Sequence, residues 1–407
     1  MNYTREEVET YVEEEDVKFI RLAFTDVFGK SKNVSIMPSE LKRAFDEGIA
    51  IDSSAIAGFG GEVHSDLLLH PDPATLAPLP WRPDHGRVVR MFCSVTRPDG
   101  TVIDADTRSL LIEAQNRAQA KGFTFSFGSE IEFYLFLRDQ NGQPTLIPYD
   151  RAGYMDIAPD DKGENVRREI CLTLEQMGIT PEASHHEEGP GQNEIDFHYA
   201  QPLEAADNAV TFRNVVSTLA ASSGLFASFN PKPLEDESGN GMHLNFSVTG
   251  QNDTGQNDRD VMRPAIAGVL SHITEMTLFL NPDEASYRRF GSRKAPRYVS
   301  WSEENRSQLI RIPAATGAYR RAELRSPDPL CNPYLAFTLL IDACLDGIDR
   351  NLVLPDAANV NLYTASSDVT SKFRALPLTL EMAKQEAIKS RFVSEYLPAS
   401  VFRAYTK

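Results

Sequence analysis

The sequence predicts an α+β protein in two parts, a small amino-terminal module over residues 1–103 and a larger α/β body over residues 104–407. Three observations carry this expectation. The run VKFIRLAFTDVFGKSKNVSI is rich in β-branched and aromatic residues, alternates, and is broken by Gly29-Lys30. A longer alternating run, FTFSFGSEIEFYLF, follows residue 122 and is surrounded by segments with helical spacing. The chain has 407 residues, 41% of them hydrophobic and 24% charged, a globular balance with enough length to bury a large core without cross-links.

Taken in order, Thr4 and Glu7 have capping-box spacing and open a helix over 4–14. Val17 onward reads as two strands joined by the Gly29-Lys30 turn. Ser39 is placed to cap a helix through Phe45, closed near Gly48. RVVRMFCSV is another strand, ended by the turn Pro98-Asp99-Gly100. Beyond it an amphipathic helix covers 106–121 and stops at Gly122. Further helices are expected at 163–177, 206–222, 260–279, 333–349 and 378–390, with strand-like pieces at 297–312 and 322–325. No repeat or low-complexity linker interrupts the pattern.

Composition excludes several classes of function. Lys and Arg total 41 against 58 Asp and Glu, a net charge of −17 that repels phosphate backbones and argues against nucleic-acid partners. The amino terminus, MNYTREEVETYVEEED, is acidic without an apolar run and reads as neither signal nor transit peptide. No apolar stretch of about 18 residues suggests a membrane span. The four cysteines are far apart and form no C-x-x-C pair, which argues against a disulfide framework or zinc ribbon and fits a reducing compartment. A cytoplasmic location is the expectation.

Four clusters carry chemistry. Glu130 and Glu132 stand two apart in a strand-like run, on one face. Such a pair is ordinarily a solvated face, but Phe127, Ile131, Phe133 and Phe136 mark an interior strand, where unpaired carboxylates are costly. A loop, His185-His186-Glu187-Glu188-Gly189-Pro190-Gly191-Gln192-Asn193-Glu194-Ile195-Asp196, is framed by acids and imidazoles. Gly239-Asn240-Gly241-Met242-His243 precedes the apolar alternation Leu244, Phe246, Val248. Arg288, Arg289, Arg306, Arg311, Arg320, Arg321 and Arg325 gather around Glu323, dense for an acidic protein. Several carboxylates with one imidazole suit Mg²⁺ or Mn²⁺ better than zinc. Arginine forks beside them suit phosphoryl transfer. No Walker loop or kinase signature is present, so a nucleotide would be held in another way.

These segments, together with SDLLLHPD, AGYMDIAP, NPKP, ENRSQLIRIP, RRAELRSPDPLCNPYLA and NVNLY, resemble a glutamine synthetase of the bacterial type in order and spacing, over nearly the whole chain. The resemblance implies a β-grasp domain followed by a large α/β catalytic domain. It implies an ATP-dependent ligase that phosphorylates the glutamate γ-carboxylate and lets an amine displace phosphate. Ammonia is the favoured amine and an organic amine the close alternative. Carried onto this sequence, Glu132, Glu187 and Glu194 would hold one metal, and Glu130, His243 and Glu323 the other. Glu182, Asn245, Ser247, Arg311 and Arg321 match nucleotide-side positions, and Arg306 and Arg311 face phosphate. Glu132, Gly239, His243, Arg289 and Arg325 match the glutamate side. Asp52 matches the acid that an adjacent subunit offers to the ammonium, so a homo-oligomeric ring, a hexamer or dodecamer, is implied.

The sequence also departs from the family. The flap, which usually carries a glutamate that closes the site, here reads Phe290-Gly291-Ser292-Arg293-Lys294-Ala295-Pro296, with Lys294 in the glutamate's place. The pocket asparagine is displaced to Asn240, and a nucleotide-side histidine is replaced by Asn245. The sequence ends at Lys407 where the family continues into a tail between rings, which implies a weaker contact between two rings. A catalytically weak regulatory homologue is the rival reading. The six retained ligands argue against it.

Overall fold

The computed structural model describes residues 3–61, 63–82, 85–250, 258–314 and 321–407. Arg320 therefore lies outside the described residues. The first helix, Arg5–Glu14, opens on the expected capping box: the Thr4 hydroxyl accepts from the Glu7 N–H and the Glu7 carboxylate accepts from the Thr4 N–H. Strands β1 (Val17–Thr25) and β2 (Ser31–Ile36) then pair antiparallel across a turn in which Gly29 takes φ +75°. Ser39 does not cap the next helix. Pro38 instead starts a short 3₁₀ turn, where its fixed φ costs nothing, and the α-helix runs Leu41–Asp46.

Two strands missed by the sequence reading follow, β3 (Ile49–Asp52) and β4 (Asp66–Pro71), then the short β5 (Ala77–Pro78) and β6 (Arg87–Thr96). Among the described residues they order as β2-β1-β6-β4-β3, with β5 beside β6 and only β1 and β6 parallel. Ile20, Leu22, Leu69, Val89 and Met91 are fully buried in a core belonging to this sheet.

The second sheet contains β7 (Phe123–Arg138), β8 (Pro144–Pro148), β9 (Pro181–His186), β10 (Gln192–Phe197), β11 (Leu225–Ser228), β12 (Met242–Gly250), β13 (Trp301–Glu303), β14 (Ile310–Ile312) and β15 (Ala322–Leu324). Among the described residues its order is β13-β14-β15-β12-β7-β10-β9, with β8 and β11 also paired to β7. The region 297–312 yields only two three-residue strands, because Asn305 makes a turn between them by accepting from the Ser307 N–H.

Strand β7 organises the molecule. Its odd residues Phe125, Phe127, Ile131 and Phe133 are buried against helices, Phe127 stacking on Phe337 with ring centres 4.4 Å apart. Its even residues Glu130 and Glu132 therefore emerge on the opposite face. The covering helices include Thr107–Ala120, Pro202–Ser222, Asp258–Leu280 and Pro333–Asp349. Two short carboxyl-terminal helices, Arg391–Tyr396 and Ala399–Thr406, were not anticipated. The amino-terminal module is tied down at its Gly29 turn: Asn332 Nδ2 donates to the Val27 carbonyl at 3.0 Å, and a Cβ on Gly29 would lie 2.9 Å from the Asn332 backbone.

Candidate functional site

Strand register assembles the site. On β7, Glu130 is opposite Asp196 of β10 on one side and His243 of β12 on the other. One pleat along, Glu132 is opposite Glu194. A third row runs from Arg311 on β14 to Glu323 on β15 to Asn245 on β12. Like charges placed opposite one another in a sheet repel, so this face persists only with counter-charges.

The rows wall a cavity of about 270 Å³ lined by Glu130, Glu132, Glu187, Glu194, His243, Gly239, Arg289, Arg306, Arg311, Arg321 and Arg325. Glu323 is fully buried beneath it and is gripped from two sides, Arg311 donating at 2.6 Å and Arg325 Nε at 3.0 Å. Asn245 bridges Glu130 and Arg321, with both contacts at 2.8 Å. Arg289 donates to the backbone carbonyls of Ser326 and Arg325, leaving it fixed at the cavity wall. Gly239 permits close packing: a Cβ there would fall 2.3 Å from the Pro231 carbonyl oxygen. The exposed Arg288, together with Asp52, Glu182 and Ser247, does not line this cavity. Asp52 stands at the end of β3, where its carboxylate accepts from the Ser54 N–H at 2.9 Å and is held below its usual pKa mainly by that bond.

Electrostatics divide the carboxylates. Burial pushes Glu130 up, but the hydrogen bond and charge of His243, 3.1 Å away, together with Asn245, outweigh it and bring Glu130 down to about 2. Glu187 is likewise lowered against its burial, chiefly by His185, whose Nε2 is 3.0 Å away. Glu132 is raised by burial and by Glu187, and Glu194 is raised well above its usual value by burial and then by Asp196. Such raised acids form a ready site for multivalent cations.

The donor atoms fit that use. Among the described residues, Glu130, His243 and Glu323 bring ligand atoms within 4.8 Å of one another, as the sequence resemblance implied. The other trio does not close as a single group. Glu194 instead joins Glu132 and His243 in one cluster and His185 and Glu187 in another. Oxygen-rich clusters with one imidazole suit a hard divalent ion. A further cluster, Asp150, Asp161 and His186, is internally satisfied by the 2.9 Å His186–Asp150 contact and the Arg167–Asp161 pair, and it braces the loop that carries Glu187.

His185, Glu188, Gln192 and Asp196, which the sequence reading placed in its loop cluster without an individual role, line the cavity, as does Tyr154. Asp196 continues the i, i+2 face of Glu194. Arg293, Lys294 and Ala295 line one side of the cavity. Arg293 and Lys294 both take positive φ there, 38° and 65°, a conformation costly for side-chain-bearing residues and held by contacts. Lys294 Nζ pairs with Glu188 Oε1 at 2.7 Å and lies 4.5 Å from the Tyr154 ring centre. Arg293 donates to the Asp236 carbonyl at 2.8 Å and approaches Glu237.

Two family models together match nearly the whole chain, a glutamine synthetase β-grasp domain over residues 16–98 and a glutamine synthetase catalytic domain over residues 104–407. The chain is 46% identical over 369 residues to a glutamine synthetase of Clostridium saccharobutylicum, covering 89% of this chain and 83% of the relative. It is 44% identical to one of Methanosarcina mazei, covering 99% and 92%. Among solved structures, a GmaS/ADP complex aligns with TM-score 0.88 at 26% identity over 98% of this chain and 93% of that one. A Plasmodium falciparum glutamine synthetase aligns with TM-score 0.86 at 19% identity over 100% and 95%, a likeness of fold.

Proposed function

Because the chain belongs to the glutamine synthetase family, and is an ATP-dependent carbon–nitrogen ligase, we propose that it joins glutamate to an organic amine through a γ-glutamyl phosphate, with ammonia a poor nucleophile. The observation that carries the amine reading is the lid. Where the family's flap carries a glutamate that attracts ammonium and accepts its proton, this chain has Lys294, occupied in an ion pair with Glu188. An ammonium group held in that pair neither attracts a second cation nor accepts its proton.

In this reading Arg289, Arg325 and Gly239 hold glutamate, with Glu132 and His243 beside it. Arg306 and Arg311 face the transferring phosphoryl group and offset its developing charge in a dry pocket, where such donors act most strongly. Glu182, Asn245, Ser247, Arg311 and Arg321 form the nucleotide side, a placement supported by the likeness to a complex with ADP. Mg²⁺ or Mn²⁺ held by Glu130, His243 and Glu323, and by Glu132, Glu187 and Glu194, would neutralise phosphate charge and orient donor and acceptor. Asp52, ionised at neutral pH, reaches the amine from an adjacent subunit of a homo-oligomeric ring. That explains why it lies outside the cavity of its own chain.

The second reading, ammonia as the physiological amine, is favoured by the names of the two bacterial and archaeal relatives. Phosphate release from ATP and glutamate, measured with ammonium and with a panel of primary amines, separates the two. Faster release with an organic amine is the expected result. Ordinary turnover with ammonium and none with amines overturns the amine reading and leaves the ligase assignment intact.

A further inference from the structure

The buried turn behind Arg289 is built around one residue. The helix Asp258–Leu280 stops at Asn281, because Pro282 follows and disfavours a helical residue before it. Asn281 is fully buried, and all but one of its polar groups are engaged. Its N–H donates to the Thr277 carbonyl at 2.8 Å, and its own carbonyl accepts from the Tyr287 hydroxyl at 2.8 Å. Its side-chain Nδ2 donates twice, to the Ser326 carbonyl at 2.8 Å and to Asp328 Oδ2 at 2.9 Å. The side-chain oxygen has no partner among the described residues. A buried acceptor left unsatisfied is costly, so the two donated bonds account for an amide at this position.

Those bonds reach the arginine side of the site. Tyr287 belongs to the short helix Glu284–Arg289, whose last residue is buried and lines the cavity. The Arg289 guanidinium is held by three successive carbonyls, Arg325 at 3.2 Å, Ser326 at 2.8 Å and Pro327 at 3.4 Å. None of these partners carries a negative charge, so the cation stays available to a carboxylate ligand. The Pro327 carbonyl also accepts from the Met242 N–H at 3.0 Å, which ties the segment to β12. Bare backbone closes in on the other side, where a Cβ on Gly241 would lie 2.5 Å from Arg289 Nη2. Asn281 therefore joins the helix that carries Arg289 to the carbonyls that orient it, and the same segment begins with Arg325.

We infer that Asn281 is a positioning residue for glutamate, holding Ser326 and Asp328 so that the Arg289 guanidinium keeps its direction and Arg325 its place, a role that rests on the glutamate-side reading of those two arginines. A planar guanidinium meets a carboxylate through two parallel bonds and tolerates little rotation. Releasing one carbonyl lets the fork turn. The lost alignment falls on the carboxylate ligand and not on the nucleotide, whose proposed residues Asn245, Ser247 and Arg311 sit in β12 and β14.

Calorimetric titration of the full-length oligomer in Mg²⁺ tests this, with glutamate added in the presence of saturating ADP and, separately, with ADP alone. Asn281→Leu keeps the volume and removes both donors. Glutamate binding is expected to weaken about tenfold or more, the scale of one charge-assisted contact, with ADP affinity unchanged. Asn281→Asp keeps the shape but sets an acceptor against Asp328 and the Ser326 carbonyl, and is expected to do the same. Arg289→Lys, measured alongside, is expected to weaken glutamate at least as much. Undiminished glutamate binding in both Asn281 variants, with weakened binding in Arg289→Lys, overturns the positioning role alone. Undiminished binding in Arg289→Lys as well removes glutamate from this arginine and overturns both. Equal losses for glutamate and ADP, or failure of both Asn281 variants to fold, would make Asn281 a structural residue only and overturn its role toward glutamate.

Discussion

Glu323 is fully buried between Arg311 and Arg325 while its register partner Asn245 reaches toward Glu130, so one carboxylate ties the arginine side of the site to the acid side. Glu323→Gln keeps the shape but removes the charge. Phosphate release is expected to fall about 10²–10³-fold, the usual scale for one electrostatic contact in a transition state. Near-normal turnover in that variant would contradict its role. Lys294→Glu places an acid at the lid opposite Glu188. Ammonium use is expected to rise about tenfold relative to organic amines, read from kcat/KM for each, a difference of about 1.4 kcal/mol, because the added carboxylate attracts the cation and can accept its proton. An unchanged ratio would show that the lid residue does not select the nucleophile. Asp328 offers a separate check on burial. It is fully buried and pushed up to about 6 from the ordinary 3.8, chiefly by desolvation. A raised carboxyl stabilises the fold fully below the unfolded pKa and loses that contribution as pH rises through 6. Unfolding free energy should therefore decline between about pH 4 and pH 6 by up to about 3 kcal/mol from this group. In Asp328→Asn, denaturation across that window should be flatter, and an identical slope would contradict the assignment.

At the scale of elements, the site is a property of strand register. Alternation in FTFSFGSEIEFYLF was legible in the sequence and set Glu130 and Glu132 on one face, and in the structure Phe125, Phe127 and Phe133 take the other. What it could not show was which strands lie beside β7. The pairings Glu132–Glu194 and Glu130–His243 join residues 62 and 113 positions apart, and no local pattern encodes such distances. Short elements were lost for a related reason. Strands β3 and β14 are too brief for a period to emerge, and the helix predicted from Ser39 shifted because Pro38 chose a different start. The lid was legible as a substitution, Lys294, but not as a structure, since its ion pair with Glu188 and its backbone strain exist only in three dimensions. The crowding of Glu132, Glu194 and Asp196, each raised mainly by burial, also makes an element-scale prediction. Cations must displace protons from these acids, so Mg²⁺ or Mn²⁺ should raise the Tm, and more at pH 8 than at pH 6. A metal-independent Tm would contradict the cation site.

At the scale of the whole molecule, the proposal requires that sites be shared between subunits. Asp52 lies at the end of β3 in the amino-terminal sheet, outside the cavity formed by the second sheet of the same chain. Closed rings satisfy such heterologous contacts. Asp52→Asn and Glu323→Gln subunits, each nearly inactive alone, should regain activity when refolded together, because some junctions then pair two intact halves. No recovery in mixed oligomers would place both residues in one chain's site or remove Asp52 from the chemistry. The family and the two-part fold were legible in motif order, whereas the identity of the amine depends on the lid and on what an adjacent subunit brings to it. The most direct measurement is initial phosphate release by the wild-type oligomer with ATP, glutamate and Mg²⁺, comparing ammonium with a series of primary amines of increasing length. The account predicts a higher kcat/KM for at least one organic amine than for ammonium, with the γ-glutamyl amide as product. Ammonium as the best nucleophile, giving glutamine while the organic amines give none, would contradict it.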